Sequence, residues 1–296
     1  MRLPFILPPV EKGGPLPVWT GRGFCIGGTR PSVLRYSDNT SGWTGDLTCF
    51  HENVTGSSHW IDRASRQYAA EQIKKYLHQT KNRVILEIGC SSGDMLRLMR
   101  KKFPDALIIG SDCVAGPLED LAEEFPDTPM MQFDLLKCPL PDSSIDAVVL
   151  LNVLEHIRDD ALALRQIKRI LKFEGLMVLE VPVGPSLYDV YDKMLMHYRR
   201  YSPARLSELV RNVGFRIARR SHLGFFVFPA FWLVKKWNRR LLHRHGIELQ
   251  NAVKRNITKT KNNRILEFLM AIELTLQKVF RYPAGIRCVM TCLKSE

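Results

Sequence analysis

The sequence lacks the features of membrane-spanning, secreted and disulfide-bonded proteins. Its longest apolar run, Phe225 to Val234, has ten residues and includes Pro229, whereas a spanning helix needs about 18 or more. The first residues, Met1 to Val10, contain no continuous apolar stretch with a cleavage site, so we expect no signal peptide. The seven cysteines are an odd number without a CxxC pair, which favours a reducing, cytoplasmic location and no bound metal.

Acidic residues are scarce relative to basic ones. The chain has 43 Lys and Arg against 30 Asp and Glu, a formal net charge of +13. Between Ser221 and Glu296 there are 14 basic and 4 acidic residues, so most of the excess lies in the last quarter. This indicates a local surface for an anionic partner, either nucleic acid or lipid, or a solvated surface. The 45% apolar and 25% charged residues exclude a disordered or collagen-like chain.

Composition and periodicity divide the chain into four parts. Residues 1–60 are rich in Gly and Pro without helical or strand periodicity, which predicts an irregular arm over the ligand site. A helix is expected to begin at Asp62 as its N-cap and to open a core of residues 61–223. Residues 224–282 are predicted to form a basic helical insertion, and residues 283–296 contain the last core strand.

Short apolar runs alternate with amphipathic helical segments through the core. Strands that are apolar throughout and separated by helices form parallel sheets that are covered on both faces, so we expect an α/β fold. The predicted strands are Val84–Ile88, Ala106–Gly110, Met130–Phe133, Ile145–Leu151, Leu176–Val181, Phe215–Ala218 and Ile286–Leu293.

The turn after the first predicted strand is the most informative segment. In Gly89-Cys90-Ser91-Ser92-Gly93, the glycines let the backbone approach a ligand closely. The G-x-G-x-x-G pattern of dinucleotide sites is absent, which disfavours a nicotinamide enzyme. The segment does satisfy G-x-S-x-G, the nucleophile elbow of α/β-hydrolases, and would make Ser91 the nucleophile of a serine hydrolase. Chain order opposes this alternative, because the elbow normally follows several strands.

Two carboxylates follow the next two strands. Asp112 lies just beyond the second strand, where a carboxylate can accept both hydroxyls of a ribose. Asp134 ends the third strand, where it can meet an adenine amino group. Because ligands bind at the carboxyl ends of parallel strands, the turn and the two acids predict an adenosine ligand.

These motifs resemble those of the class I S-adenosylmethionine-dependent methyltransferases. The resemblance covers Val84 to Leu223 and rests on Glu87-x-Gly89-x-x-x-Gly93, Asp112, Asp134 and Leu151-Asn152-Val153-Leu154-Glu155-His156. Ser91 stands where the family usually has glycine. The resemblance implies a Rossmann-like seven-stranded sheet with helices on both faces, an antiparallel last strand, and S-adenosyl-L-methionine as the methyl donor, with S-adenosyl-L-homocysteine as product.

The resemblance also implies which residues bind the cofactor. The donor would lie against Gly89 to Gly93, including Cys90 and Ser91, with Glu87 just before them. Its ribose would bind Asp112, its adenine would lie near Cys113, Asp134 and Leu135, and its methionine end near Arg63 and Asn152. Arg66, one turn after Arg63, is the alternative arginine.

Further segments resemble a bacterial subgroup of methyltransferases associated with glycan and lipid-linked metabolism. They are His59-Trp60 with Arg63, His197-Tyr198-Arg199-Arg200-Tyr201-Ser202, Asn263-Arg264 with Glu267, and Pro283-Ala284-Gly285-Ile286. This implies O-methylation of a glycan or lipid-linked intermediate at the inner membrane face. A small-molecule or RNA methyltransferase is the alternative within the class.

Two histidines are candidates for the chemistry. His156 follows the fourth strand and His197 lies in the loop after the fifth, so both are expected at the carboxyl edge, where a base would help a hydroxyl acceptor. We expect His197 to act as base or acceptor-orienting group and His156 to lie closer to the donor. Arg199 and Arg200, with Tyr201, are candidates for binding an anionic group of the substrate.

The basic insertion contains two amphipathic patterns. One helical face has Leu233, Val234, Trp237 and Leu241, and the other has Lys235, Lys236, Arg239, Arg240, His243 and Arg244. Such a helix lies on a protein core or on an anionic membrane, here through residues 225–244. A second helix with Ile265, Leu269, Ile272, Leu276 and Val279 in phase is expected to pack against it. Nucleic acid is disfavoured, because no RNA-binding module is recognisable.

Overall fold

The computed structural model describes residues 2–37, 59–77, 81–239 and 263–295. The predictions for Leu241, Arg240, His243 and Arg244, and the free state expected for Cys49, fall outside the described residues. The other six cysteines are free.

Ten strands lie in the described residues. They are β1 (Val18–Trp19), β2 (Phe24–Cys25), β3 (Val33–Arg35), β4 (Val84–Ile88), β5 (Leu107–Asp112), β6 (Met130–Gln132), β7 (Ile145–Leu151), β8 (Leu171–Pro182), β9 (Phe215–Leu223) and β10 (Arg287–Lys294).

The helices of the same residues, apart from short 3-10 turns, alternate with the strands of the core, and Val190–Met194 is a helix that the sequence pattern did not predict. The helices are α1 (Trp60–Tyr76), α2 (Asp94–Lys102), α3 (Ala115–Glu124), α4 (Asp160–Ile170), α5 (Val190–Met194), α6 (Pro203–Asn212), α7 (Phe228–Arg239) and α8 (Arg264–Gln277).

The central sheet confirms the predicted α/β fold. Its eight strands have the order β3-β6-β5-β4-β7-β8-β10-β9. In the described sheet only β10 is antiparallel to its neighbours, β8 and β9, so the last strand has the expected direction. The chain moves from β4 to β5 on one side and later to β7 on the other. This reversal opens a crevice at the carboxyl ends of β4 and β7, where ligands of such folds bind.

The N-terminal arm corrects the prediction of a seven-stranded sheet. Val33–Arg35 pairs in parallel with Met130–Gln132 and adds an eighth strand at the edge. β1 and β2 form a separate antiparallel pair, and Leu7, Trp19 and Phe24 are buried in the core. Strands of two or three residues are too short to show an alternating pattern, so the sequence could not reveal them.

The strands are buried on both faces, as their continuous apolar sequence predicted. In β4, Leu86 belongs to the core on one side of the sheet and Ile85 to the core on the other, and both are fully buried. Successive side chains of a strand point to opposite faces, so each apolar pair contributes to both layers. Full burial of such a side chain stabilises the fold by about 1.5–3 kcal/mol.

Helix boundaries differ only slightly from the predicted ones. α1 begins at Trp60 with His59 as its N-cap, so Asp62 lies in the first turn and not at the cap. An acidic residue in the first turn still interacts favourably with the helix dipole. α6 begins at Pro203 after Ser202, as predicted, and Gly214 follows its end with a φ of +94°.

The two helices of the insertion turn their apolar stripes outward, contrary to the core-facing alternative. In α7, Leu233 and Trp237 are 63% and 66% exposed, whereas Lys235 is 5% exposed. In α8, Ile265 is 71% exposed, and the buried positions are Met270, Glu273 and Gln277. α8 packs against α1. In the described part of the chain, no helix is both long and apolar enough to span a bilayer.

Candidate active site

A cavity of about 560 Å³ lies at the carboxyl edge of the central sheet. Its walls come from the loops after β4, β5, β6, β7 and β8, and from α1, α7 and α8. The described part of the arm, residues 2–37, is not among the lining residues, so the predicted arm over the cofactor stays a prediction for residues 38–58. The candidate site residues that line the cavity are Glu87, Gly89, Cys90, Ser91, Asp112, Cys113, Asp134, Leu135, Asn152, His156, His197 and Arg200.

The turn after β4 is held by the carboxylate of Asp112. The N–H of Ser91 donates to Asp112 Oδ2 at 3.0 Å, and the N–H of Val114 donates to Oδ1 at 3.1 Å. Burial raises the pKa of Asp112, although these hydrogen bonds oppose the shift. The carboxylate therefore fixes the turn and also lines the cavity, where a ribose would lie.

The two glycines of the turn have different tasks. Gly89 lines the cavity with a φ of +75°, and a Cβ there would lie 2.6 Å from Val153 Cγ2. Gly93 has a φ of +79°, and its Cβ would lie 2.2 Å from Leu121 Cδ2. Gly93 is not among the lining residues, although its neighbours Ser92 and Asp94 are. Its lack of a side chain lets α2 start close to α3, and its contact with the cofactor stays a prediction.

Further carboxylates lie at or near the cavity. Glu87 Oε2 is buried and has no hydrogen-bond partner among the described residues. Burial, with the nearby charge of Asp112, raises the pKa of Glu87. Arg287 bonds Asp62 at 2.6 Å and Glu180 at 2.9 Å. Sequence reasoning missed this ion-pair group, because its members come from three distant segments.

Asn152 is held by the same group. Its Nδ2 donates to Glu180 Oε1 at 2.9 Å, and its φ of +55° is a left-handed conformation that asparagine adopts more readily than most residues. The amide side chain therefore lies at the cavity in a fixed position.

The structure favours Arg66 over Arg63 at the cavity. Arg63 is 57% exposed and pairs with Glu267 at 3.4 Å, away from the lining. Arg66 lines the cavity and lies 3.5 Å from Asp94. Two helical residues that are three positions apart differ in direction by about 300° around the helix axis. Arg63 therefore lies on the solvent side of α1 and Arg66 on the cavity side.

His156 and His197 lie side by side in the cavity. Their ring centroids are 4.6 Å apart and the planes make an angle of 77°. His197 Nδ1 lies 2.9 Å from Asp192 Oδ1, which leaves Nε2 as the nitrogen that can take a proton from a ligand. Burial lowers the pKa of His197, although its bond to Asp192 opposes the shift.

Four charged side chains form a buried network beneath His197. Lys235 Nζ donates to Asp189 Oδ1 at 2.7 Å and to Asp192 Oδ2 at 3.0 Å, and Arg200 donates to Asp192 Oδ1 at 2.8 Å. Burial opposes ionisation of Asp192, but His197 and the two cations outweigh it and hold its pKa well below the usual range.

The network was missed in the sequence, although one signal was available. Asp189 and Asp192 form a capping box at the start of α5, and an acidic pair with this spacing is a sequence signature of a helix start. Of the three predicted substrate-binding residues, Arg200 lines the cavity. Arg199 and Tyr201 are not among the lining residues, and both bond Asp160 outside it.

Glu155, His156 and His197 are grouped closely enough to hold a metal ion. One ligand atom from each lies within 4.8 Å of the others. The sequence predicted no metal, on the grounds of cysteine and histidine spacing alone. Burial raises the pKa of Glu155 to about 8, so its carboxyl group retains a proton at neutral pH.

Fold and site together define a class of protein. A glycine-containing turn after the central strand, a buried carboxylate at the end of the next strand and a cavity at the reversal of strand order form a Rossmann-like site for an adenosine cofactor. Residues 86–179 match the family model described as "Methyltransferase domain". This part of the chain is therefore similar to methyltransferases that use S-adenosylmethionine.

Relatives and solved structures agree with this assignment. A "Probable S-adenosylmethionine-dependent methyltransferase" of Mycolicibacterium smegmatis is 26% identical over 179 residues, which cover 59% of this chain and 65% of that protein. The chain thus spans less than two thirds of that relative. The demethylmenaquinone methyltransferase of Thermotoga maritima is 24% identical over 179 residues, covering 50% and 78%.

A solved structure shows the same fold. Phosphoethanolamine N-methyltransferase 2 of Haemonchus contortus in complex with S-adenosyl-L-methionine has a TM-score of 0.55 and 15% identity, covering 88% of this chain and 58% of that chain. None of these three matches is a hydrolase, and the serine-hydrolase alternative for Ser91 has no support.

Proposed function

We propose that the protein transfers a methyl group from S-adenosylmethionine to an oxygen of a glycan or lipid-linked intermediate at the cytoplasmic face of a membrane. The observation that carries the proposal is one cavity that is lined both by the turn bonded to Asp112 and by His197, whose ring contacts Asp192. The turn suits the donor, and His197 offers a base for an acceptor.

The residues present fit the donor. The orphaned Glu87 Oε2 can accept a hydrogen bond from the ammonium group of the methionine end, and Asp112 can accept from the ribose. A side chain at Gly89 would fill the space against Val153. When bound, S-adenosylmethionine supplies an electrophilic methyl carbon on a positively charged sulfur.

His197 is proposed to act on the acceptor. In the proposed transfer, an acceptor oxygen would bond to the methyl carbon while the carbon–sulfur bond breaks and its electron pair leaves with the sulfur. The hydroxyl proton passes to Nε2 of His197, while Asp192 holds Nδ1 and so fixes the ring orientation. His156 stands beside this ring, and Arg200 is in reach of an anionic group of the substrate. The other task of these residues is to align the reactants and exclude water.

An amphiphilic acceptor is supported by the surface next to the cavity. Val234 of α7 and Leu266 of α8 line the cavity, and the outer faces of both helices expose large apolar side chains. The exposed ones in these helices are Trp232, Leu233, Val234, Trp237, Ile265, Phe268, Ile272 and Leu276, and Phe226, Val279 and Phe280 are exposed just outside the helix ends. Monomeric soluble proteins rarely expose so many together.

The occupant we propose for this surface is an anionic bilayer. Lys236 and Arg239 of α7 and Arg264 of α8 are exposed on the same helices, and Lys236 lies over the Trp232 ring at 4.8 Å. Aromatic side chains with flanking cations suit the boundary between headgroups and acyl chains.

An apolar small molecule is the second candidate for the methyl acceptor, because a demethylmenaquinone methyltransferase is among the relatives.

A labelling experiment tests the proposal. The protein is incubated with methyl-labelled S-adenosylmethionine and a lysate of the source organism, which is then separated into organic-extractable, soluble-glycan and nucleic-acid fractions. We expect label in the organic or glycan fraction. His197→Ala should lower the rate by roughly 10²–10⁴-fold, as expected for loss of a base, while calorimetry finds nearly unchanged affinity for S-adenosylhomocysteine. Label confined to nucleic acid would contradict the proposed acceptor.

A further inference from the structure

Lys235 is placed in an unusual way for a lysine on a surface helix. It belongs to α7, whose neighbouring residues Leu233, Val234 and Trp237 are exposed, yet its own side chain is 5% exposed and lines the cavity. Lysine is rarely buried to this extent unless it is paired. Its Nζ bonds Asp189 and Asp192 at 2.7 and 3.0 Å.

The contacts of Lys235 lead directly to His197. Asp192 uses Oδ2 for Lys235 and Oδ1 for both His197 Nδ1 and Arg200. One carboxylate therefore joins α7 to the ring that is proposed to act on the acceptor. The position of Asp192 is set from one side by Lys235 and from the other by Arg200, which also donates to the carbonyl of Val183.

The charges of this network are balanced when Lys235 is in place. Asp189 and Asp192 face Lys235 and Arg200, and all four are buried. Glu155 and His156 stand on the cavity side of His197, and the Tyr188 hydroxyl donates to the His197 carbonyl. Without Lys235 a buried carboxylate would lack a counter-charge, and Asp192 would be drawn toward Arg200 and away from its present place beside His197.

We propose that Lys235 is a positioning residue, which couples the position of α7 to the orientation of the His197 ring through Asp192. This inference rests on the proposed function, because it assigns His197 the work on the acceptor. It means that the helix with the exposed apolar face also completes the active site. Under this proposal, the same position of α7 that presents its apolar face to a lipid surface also orients His197 for the acceptor.

The test compares five variants of the full chain. Lys235→Met removes the charge but keeps the length, and Lys235→Arg keeps the charge. Lys193→Met is the matched control, because Lys193 is the exposed neighbour of Asp192 on α5. Asp192→Asn, alone and with Lys235→Met, shows whether Lys235 acts through Asp192. Thermal unfolding and S-adenosylhomocysteine affinity are measured for each, and transfer of label is measured with an organic extract of the source organism.

A positioning role predicts a specific set of results. Lys235→Met should lower the rate at saturating donor by roughly tenfold or more, a fraction of what loss of the base costs, with the KM for S-adenosylmethionine unchanged. Lys235→Arg should restore most of the rate, Lys193→Met should match the wild type, and Lys235→Met should add nothing to Asp192→Asn. An unchanged rate in Lys235→Met, or additive losses in the double variant, would overturn the inference.

A spectroscopic measurement tests the coupling of Lys235 to His197 and does not require the acceptor to be known. In the protein bound to S-adenosylhomocysteine, the imidazole NMR signals of His197, assigned by comparison with His197→Gln, should shift in Lys235→Met and stay in place in Lys193→Met. If the wild type labels no fraction, the proposed function fails and this measurement still applies. Unshifted signals in a folded Lys235→Met, or in Lys235→Gln where the Met variant does not fold, would refute the coupling.

Discussion

At the scale of single residues, the turn after β4 is defined by backbone conformation. Gly89, Ser91 and Gly93 all have positive φ, with +42° at Ser91. A left-handed conformation costs a residue other than glycine about 1–2 kcal/mol, and the Ser91 N–H bond to Asp112 offsets part of this.

Gly89 is the position where a side chain should do most harm to cofactor binding. We expect Gly89→Ala to lower the free energy of unfolding by about 2 kcal/mol, from left-handed strain and overlap with Val153. Affinity for S-adenosylhomocysteine should fall at least about tenfold, the equivalent of 1.4 kcal/mol. Urea unfolding and calorimetry measure the two effects.

Gly116 is the matched control for this change. It lies in α3 with nothing within 4 Å of its Cβ position, so Gly116→Ala should stabilise the helix by up to about 1 kcal/mol and leave affinity unchanged. Equal affinities of Gly89→Ala and the wild type would contradict the close approach of this turn to the cofactor.

Chelation tests the cluster of Glu155, His156 and His197. The sulfonium leaving group of the donor is already charged, so transfer to a base-assisted hydroxyl requires no Lewis acid. We therefore expect overnight dialysis against EDTA to leave the rate of label transfer and the thermal midpoint unchanged. Loss of activity that returns with one divalent metal would instead assign the cluster a bound cation.

At the scale of elements, β7 is anchored to its neighbours by Asp146. Its side chain is 3% exposed and accepts from Lys172 at 2.7 Å, Arg83 at 2.8 Å and the Val84 N–H at 2.9 Å. Burial opposes ionisation, but these three bonds outweigh it and hold the pKa of Asp146 below its usual value. The ends of β4, β7 and β8 are thus joined by one carboxylate.

This anchor predicts a pH dependence of stability. Because the folded pKa lies below the unfolded value of about 3.9, the contribution is present above that value and is lost as the pH falls through the folded pKa. We expect Asp146→Asn to lower the free energy of unfolding by about 1–3 kcal/mol at pH 7 and to remove this part of the acid sensitivity.

Asp142 offers the comparison. It pairs with Arg169 at 2.6 Å while 74% exposed, so Asp142→Asn should cost at most about 1 kcal/mol. Urea unfolding between pH 3 and 7 separates the two variants, and equal losses would contradict the role of burial.

The outer face of α7 predicts binding to anionic vesicles. In flotation with phosphatidylglycerol-containing liposomes, the double change Leu233→Ser and Trp237→Ser should reduce partitioning at least about tenfold, because each side chain contributes about 1.5–3 kcal/mol when buried. Phe173→Ser, which changes a side chain 62% exposed on β8, should leave it unchanged. Vesicle binding of the wild type should weaken as the salt concentration rises. A wild-type protein that does not float with the vesicles at low salt would contradict the proposal that α7 binds a membrane.

At the scale of the whole molecule, the order of strands brings the site together. The turn after β4, Asp112 at the end of β5 and Asn152 after β7 meet because these strands are neighbours at the middle of the sheet. This much follows from local pattern and family resemblance, since motifs at successive strand ends must share one edge. The arm strand β3 does not follow from them, because its three residues carry no periodic signal.

The sequence by itself determined the alternation of buried strands and helices and the motifs at the strand ends, because these depend on local periodicity and turn chemistry. The antiparallel last strand was predicted only from the resemblance to a known family. The tertiary structure decided that Arg66 and not Arg63 reaches the cavity, that Lys235 is buried, and that the apolar face of α7 points outward. A hydrophobic stripe normally predicts the buried face, but here two carboxylates of α5 stabilise a lysine in the interior. Such an arrangement depends on residues over 40 positions apart, and no local pattern contains it.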